Sequence, residues 1–204
     1  MKYKNLTVSQ KGLSLIESAM VLAISAVVVS GVLYYYNQAQ ENRKLEEGIK
    51  QIQTIAATVN KLYTNSTTRL QNGDDAANNK VVEAISAISG IPTKELSSGA
   101  KVFTTPSGQW VQLWVEVNNP INTYQLETQV QSVSSCMSYA ALNMGTIMAG
   151  KTQVLTDRTN HVNNSNSNSS TNFSLSPSIA SDACKKAENA KGGNNIKVRY
   201  TLRY

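Results

Sequence analysis

Residues 13–36, LSLIESAMVLAISAVVVSGVLYYY, are almost wholly apolar and carry one charge, Glu17. A helix crosses a bilayer with roughly 20 apolar residues, so this run is long enough to do so. It has no polar face. From Leu45 the pattern changes: Leu45, Ile49, Ile52, Ala56, Val59 and Tyr63 recur at alternating steps of four and three, which lays one apolar stripe along a helix. Residues 38–44 join the two parts with helix formers and no proline. The pattern predicts one helix from Leu13 to about Tyr63, roughly 77 Å long at 1.5 Å per residue. Gly31 and Gly48 are its weak points, each costing about 1 kcal/mol against alanine. The alternative is two helices hinged at Gly48.

Downstream the period shortens. Residues 64–79 are polar and turn-rich, and Val81, Val82, Ile85 and Ile88 then mark a short helix closed by Gly90-Ile91-Pro92. Val111, Leu113, Val115 and Val117 next alternate with Trp110, Gln112, Trp114 and Glu116. After Asn118-Asn119-Pro120 a second alternation runs through Tyr124, Leu126, Thr128 and Val130, and period two on both sides of a turn predicts an antiparallel hairpin. Residues 133–144 read as a helix stopping at Gly145, and Ser176-Pro177 opens another that ends near Gly192. In IKVRYTLRY, residues 196–204, Ile196, Val198, Tyr200, Leu202 and Tyr204 face one way, Lys197, Arg199, Thr201 and Arg203 the other. A long helix followed by a sheet with inserted helices predicts an α+β fold, the helix packed on an antiparallel sheet. Between these elements, NHVNNSNSNSSTN at 160–172 is too polar to order itself. It reads as an exposed loop, either a solvated spacer or a contact surface.

Charge and chemistry narrow the function. The formal charge is +6, from 19 basic and 13 acidic residues, and without Lys2, Lys4 and Lys11 it falls to +3. That mild excess does not argue for nucleic acid; a DNA-binding role would rest on Lys197, Arg199 and Arg203 alone. His161 is the only histidine and sits in the Asn/Ser stretch, where a solvated side chain is expected. No Gly-rich phosphate loop, nucleophile elbow or H-E-x-x-H occurs, and Asp74-Asp75 lies in an NGDD turn. The chain is read as not an enzyme, with no cofactor and no metal. Trp110 and Trp114 share a strand face, which serves as core packing, a subunit contact or a binding platform.

The leader decides more. Residues 1–12, MKYKNLTVSQKG, hold three lysines and no acid, a pattern that leaves this end in the cytoplasm. No A-x-A-like site closes the apolar run, which passes through Tyr34, Tyr35 and Tyr36 into NQAQENRK. The residues alone therefore read as an uncleaved signal anchor with an interfacial tyrosine belt. Glu17 does not suit that reading, because a charge at the membrane centre costs about 2.5–3.5 kcal/mol on insertion scales and is rarely kept without a partner.

Lys11-Gly12-Leu13-Ser14-Leu15-Ile16-Glu17-Ser18-Ala19-Met20 resembles the processing site of type IV prepilins, and GLSLIESAMVLA is most similar to the type IVb pilins of the bundlin kind. The resemblance implies a membrane prepilin peptidase that cuts between Gly12 and Leu13 and methylates the Leu13 amino group. It implies that Glu17, then the fifth residue, serves subunit assembly. It divides the chain into a cytoplasmic leader (1–12), a transmembrane and filament-core helix (13–36) and a pilin head (37–204) whose first part (37–63) continues the helix. Cys136 and Cys184 allow one intramolecular bond in an exported head. A metal pair lacks C-x-x-C spacing and nearby histidines. The arrangement resembles the disulfide that ties down the carboxyl-terminal region of type IV pilins, here closing a loop of about 48 residues worth about 4 kcal/mol in the chain-entropy model.

The function so implied is the major pilin of a bacterial type IVb pilus, used for adhesion and bundling. The implied partners are the peptidase, other copies of the chain, the inner-membrane assembly machinery, and lateral filament or host-surface contacts. The precursor would sit in the inner membrane with its head periplasmic; the mature form would be extracellular. A minor pilin or a type II secretion pseudopilin shares the same amino-terminal signature. A monomeric anchored sensor or adhesin is the alternative from another class.

Overall fold

The structure is a computed structural model that describes residues 14–67, 69–70, 75–115, 122–162, 173–190 and 195–204. Helix α1 (Leu15–Tyr63) is unbroken, with no hinge at Gly48. By compactness the chain divides between Arg43 and Lys44 into two units. In the first, the apolar α1 side chains from Leu15 to Tyr36 are exposed. The second, Lys44–Tyr204, is called the head below.

In the head the second part of α1 buries Gly48, Ile52, Ile55, Ala56, Thr58 and Val59, while Leu45, Ile49, Leu62 and Tyr63 flank the core half-covered. The stripe predicted from the sequence is the buried one, widened by Gly48 and Ile55. Helix α2 (Asp75–Ser89) starts earlier than the polar composition of 64–79 indicates. Its first turn holds Asp75, which favours the positive helix end, and two alanines follow. Asn79, read as turn, lies within the helix and clips it to the strand connection below: its Nδ2 donates to Gly99 O (2.9 Å) and its Oδ1 accepts from Lys101 N (2.7 Å). Gly90, at φ +71°, ends α2 with its N–H on Ser86 O, a left-handed cap.

Among the described residues seven antiparallel strands follow: β1 (Thr93–Glu95), β2 (Lys101–Thr104), β3 (Trp110–Trp114), β4 (Thr123–Val130), β5 (Gln153–Thr156), β6 (Thr159–Asn160) and β7 (Ile196–Arg203), in the order β1-β2-β3-β4-β7-β5-β6. The expected hairpin is β3–β4, with Val111 opposite Thr128 and Leu113 opposite Leu126; residues 116–121 of its turn lie outside the described residues. β7 pairs β4 over its full length, from Thr123 opposite Arg203 to Val130 opposite Ile196, and pairs β5 on its other side. Its inner face, Ile196, Val198, Tyr200 and Leu202, is wholly buried, as the alternation requires.

Helix α3 (Val133–Ala140) stops four residues before Met144. Ser132 caps its start by accepting from Ser135 N. At its end Asn143 Oδ1 takes the Gly145 N–H (2.8 Å), a local turn that competes with further helix. Helix α4 (Pro177–Ala190) opens as expected, with Ser176 O accepting from Ala180 N; residues 191–194, including Gly192, are not described. The Asn/Ser stretch is not all loop. Asn160 pairs in β6, His161 N donates to Val154 O (2.8 Å), and Val162 is buried, so the sheet edge claims these three residues. Residues 163–172 lie outside the described set.

Candidate assembly segment and head surface

The start of α1 carries the chemistry singled out from the sequence. Ser14 stands just before the helix and donates its N–H to Glu17 Oε2 at 2.9 Å, while Glu17 N approaches Ser14 Oγ at 3.4 Å. Ser14 O accepts from Ser18 N (3.1 Å) and from Ser18 Oγ (2.9 Å). This is a reciprocal capping box, S-x-x-E, ahead of an apolar run. The sequence displays that signature at Ser14-Leu15-Ile16-Glu17, yet weighing Glu17 only as a charge leaves it unnoticed. The Gly12–Leu13 bond and the Leu13 amino group lie outside the described residues. Farther along, Ser25 Oγ and Ser30 Oγ donate to Val21 O and Ala26 O, both at 2.7 Å, so these hydroxyls are satisfied on the helix itself. By length and composition α1 is long and apolar enough to cross a membrane.

In the head, Cys136 on α3 and Cys184 on α4 are joined in a disulfide, with Cα atoms 5.9 Å apart and both side chains fully buried. One turn beyond Cys136, Tyr139 reaches α1 at Gly48. A Cβ on that glycine would lie 2.2 Å from the Tyr139 hydroxyl oxygen. Gly48 is therefore a notch that admits a tyrosine. Periodicity does not report it, because a glycine can be needed for space as well as for flexibility. Tyr200 of β7 donates its hydroxyl to Tyr139 O (2.7 Å). Burial pushes the Tyr139 phenol up to about 12 and the Tyr200 phenol well above its ordinary value, so both stay neutral. Disulfide, notch and phenol together fasten α3 to α4, α1 and β7.

The opposite face of the sheet is polar. Arg199 donates from Nε (2.8 Å) and from its terminal nitrogen (2.7 Å) to Glu127 Oε2, and Lys197 Nζ lies 3.7 Å from Glu127 Oε1. The Glu127 side chain is only 5% exposed, which an unpaired carboxylate would not tolerate. Lys197 stands 5.7 Å from the ring centre of Trp110, and Arg199 5.0 Å from that of Trp114, within reach of cation–π attraction. Arg203 donates to Met148 O, and Thr201 to Gln125 Oε1. The cations that look free in the β7 sequence are thus spent on Glu127, on two indole rings and on a carbonyl. The tryptophans belong to this half-covered polar face and not to the core.

Other candidates separate. His161 is half-buried at the sheet edge instead of solvated in a loop. Asp75 is the first residue of α2, and Asp74 lies outside the described residues. Among the described residues, no three His, Cys, Asp or Glu side chains cluster as a metal site would require. Tyr204, beside Tyr63 and Tyr124 with ring centres 5.6 and 6.2 Å away, accepts the Leu70 N–H on its hydroxyl (3.0 Å).

Comparisons with known proteins agree with one another. The Bundlin family model matches residues 37–203. The major structural subunit of the bundle-forming pilus of Escherichia coli O111:H- is 30% identical over 196 residues, which cover 95% of each chain. The corresponding subunit of Escherichia coli O127:H6 matches to the same extent. In fold, the crystal structure of a type IVb pilin from Salmonella typhi superposes with a TM-score of 0.50 at 15% identity, covering 77% of this chain and 97% of that one.

Proposed function

The chain belongs to the bundlin family, and from that membership we propose that it is the major structural subunit of a type IVb pilus. The observation that carries the reading is the contrast inside α1. The head closes its own core, whereas the apolar side chains of residues 15–36 are exposed. Such a helix is stable in lipid and afterwards among the helices of other copies. The membrane holds the precursor with leader 1–12 in the cytoplasm and the head in the periplasm. A prepilin peptidase cuts between Gly12 and Leu13 and methylates the Leu13 amino group. The inner-membrane assembly machinery then packs the 13–36 helices into a filament core, and the heads form an extracellular surface that serves adhesion and lateral contact. This function uses no catalytic centre in the chain itself.

Glu17 supplies the register. An uncompensated carboxylate in an apolar core is costly, and an opposite charge offsets that only at close range. The cation is the amino group freed at Leu13, on the same subunit or an adjoining one. Sheared surface filaments analysed by intact mass should contain a chain that begins at Leu13 and carries a methyl group. Filaments containing Met1 would defeat the assignment. Filaments built mainly of another protein would make this chain a minor pilin or a pseudopilin. Glu17→Leu should be cleaved and membrane-held yet fail to assemble; normal filaments from it would defeat the pairing.

A further inference from the structure

A membrane helix has a difficulty at its first turn that a soluble helix does not. Its leading N–H groups have no partner within the helix, and lipid offers them no water. In α1 the Ser14 N–H is met by the Glu17 carboxylate at 2.9 Å, and Ser14 Oγ faces the Glu17 N–H at 3.4 Å. The carboxylate also lies in the first turn, where the positive end of the helix favours it. Both contacts form within a single copy of the chain.

We infer that Glu17 has a second function, distinct from pairing between subunits: it caps its own helix while the subunit is alone in the membrane. The carboxylate then has two competing partners. In the solitary subunit it is held by Ser14 N–H; on assembly it turns to the ammonium group of an adjoining subunit and gives up that bond. The second half of this scheme rests on the assembly role proposed above, and the cap itself does not. The cap also does not depend on cleavage, because the Ser14 N–H is an amide in precursor and mature chain alike. It separates substitutions that the pairing role treats as equal. Glutamine retains a side-chain acceptor at this position and satisfies a capping box, whereas leucine does not.

The test is amide hydrogen exchange at Ser14 in the full-length protein in detergent micelles, for the unsubstituted chain, Glu17→Gln and Glu17→Leu. Ser14 exchange should be equally slow in the first two and about fivefold faster in Glu17→Leu, the factor that corresponds to a typical cap of about 1 kcal/mol. Equal Ser14 exchange in all three would overturn the cap. Ser14→Ala removes only the hydroxyl acceptor and should speed exchange at Glu17 while leaving the Ser14 amide slow. Faster Ser14 exchange in that variant would also overturn it, since the hydroxyl and not the carboxylate would then be the holder. Filament formation is scored separately. A Glu17→Gln chain that keeps slow Ser14 exchange but assembles normally would defeat the pairing role and leave the cap standing.

Discussion

The two parts of α1 are continuous helix, both rich in Val, Ile and Leu, yet they meet opposite fates. Val27 and Tyr35 are 73% and 76% exposed, whereas Ile52, Ile55, Ala56 and Val59 are fully buried. Apolar content alone does not distinguish them. Periodicity does: the later part alternates apolar and polar turns and is matched to one sheet, while the earlier part is apolar on all sides and needs an apolar medium all round. The same residue types thus signal a partner within the chain in one case and outside it in the other.

Lysine placed in each part gives the widest separation. Ile52→Lys puts an ammonium without a counter-charge into the head core and should cost more than about 4 kcal/mol, abolishing the near-ultraviolet circular dichroism of the head. Val27→Lys should leave head melting unchanged in detergent while eliminating filaments, at about 2.5–3.5 kcal/mol for a charge near the membrane centre. Equal effects on head melting would break the comparison. Cys136→Ser comes next. Opening a cross-link of sequence separation 48 should destabilise the head by about 4 kcal/mol, seen as a lowered denaturation midpoint, with no change in membrane insertion.

The glycines sharpen the contrast further. Gly31→Ala meets nothing within 4 Å and should leave head melting untouched. Gly48→Ala drives a methyl group into the Tyr139 hydroxyl and should cost about 1–3 kcal/mol, most of it recovered when Tyr139→Phe removes that oxygen. A Gly48→Ala chain that melts like the unsubstituted one would show that α1 can shift at the notch. The smallest expected effect is on the polar sheet face. Glu127→Gln leaves Lys197 and Arg199 facing a neutral amide, and should lower head stability by about 1 kcal/mol, since both cations are partly hydrated. Salt should reduce the difference between the two chains, as screening weakens the ion pairs of the unsubstituted one.

Legibility followed the length of each pattern. Seven-residue periodicity over α1 and alternation over β4 and β7 predicted all three elements, and the buried face of α1 and β7, whereas β4 is buried on both faces. Strands β1, β2, β5 and β6 escaped notice, because two to four residues leave no room for a period. β1 is exposed throughout, and β5 buries Val154, Leu155 and Thr156 in succession. Helix α2 hid its start in a polar run that ends at Asn79, whose partners, Gly99 and Lys101, lie about 20 residues away. The placement of β7 between β4 and β5 is likewise non-local. Among the site residues, the type IV signature gave Glu17 its charge role and overlooked the acceptor role, although both are written in the same four residues. The β7 cations looked available because Glu127 and the two tryptophans that hold them come from strands much earlier in the chain.

The interior position of β7 sets a timetable. It is the last strand in chain order, yet it separates β4 from β5 and supplies partners to both. As the head emerges in chain order, β1 to β4 can assemble and so can the β5–β6 pair. The two groups have no shared edge until residues 196–203 arrive. Until then β4 presents an unpaired edge of eight residues, an open invitation to foreign strands. The α3–α4 disulfide can form before that moment, since Cys136 and Cys184 both precede β7. Oxidation before the final strand would hold the two groups side by side and shorten the interval during which the edge is bare.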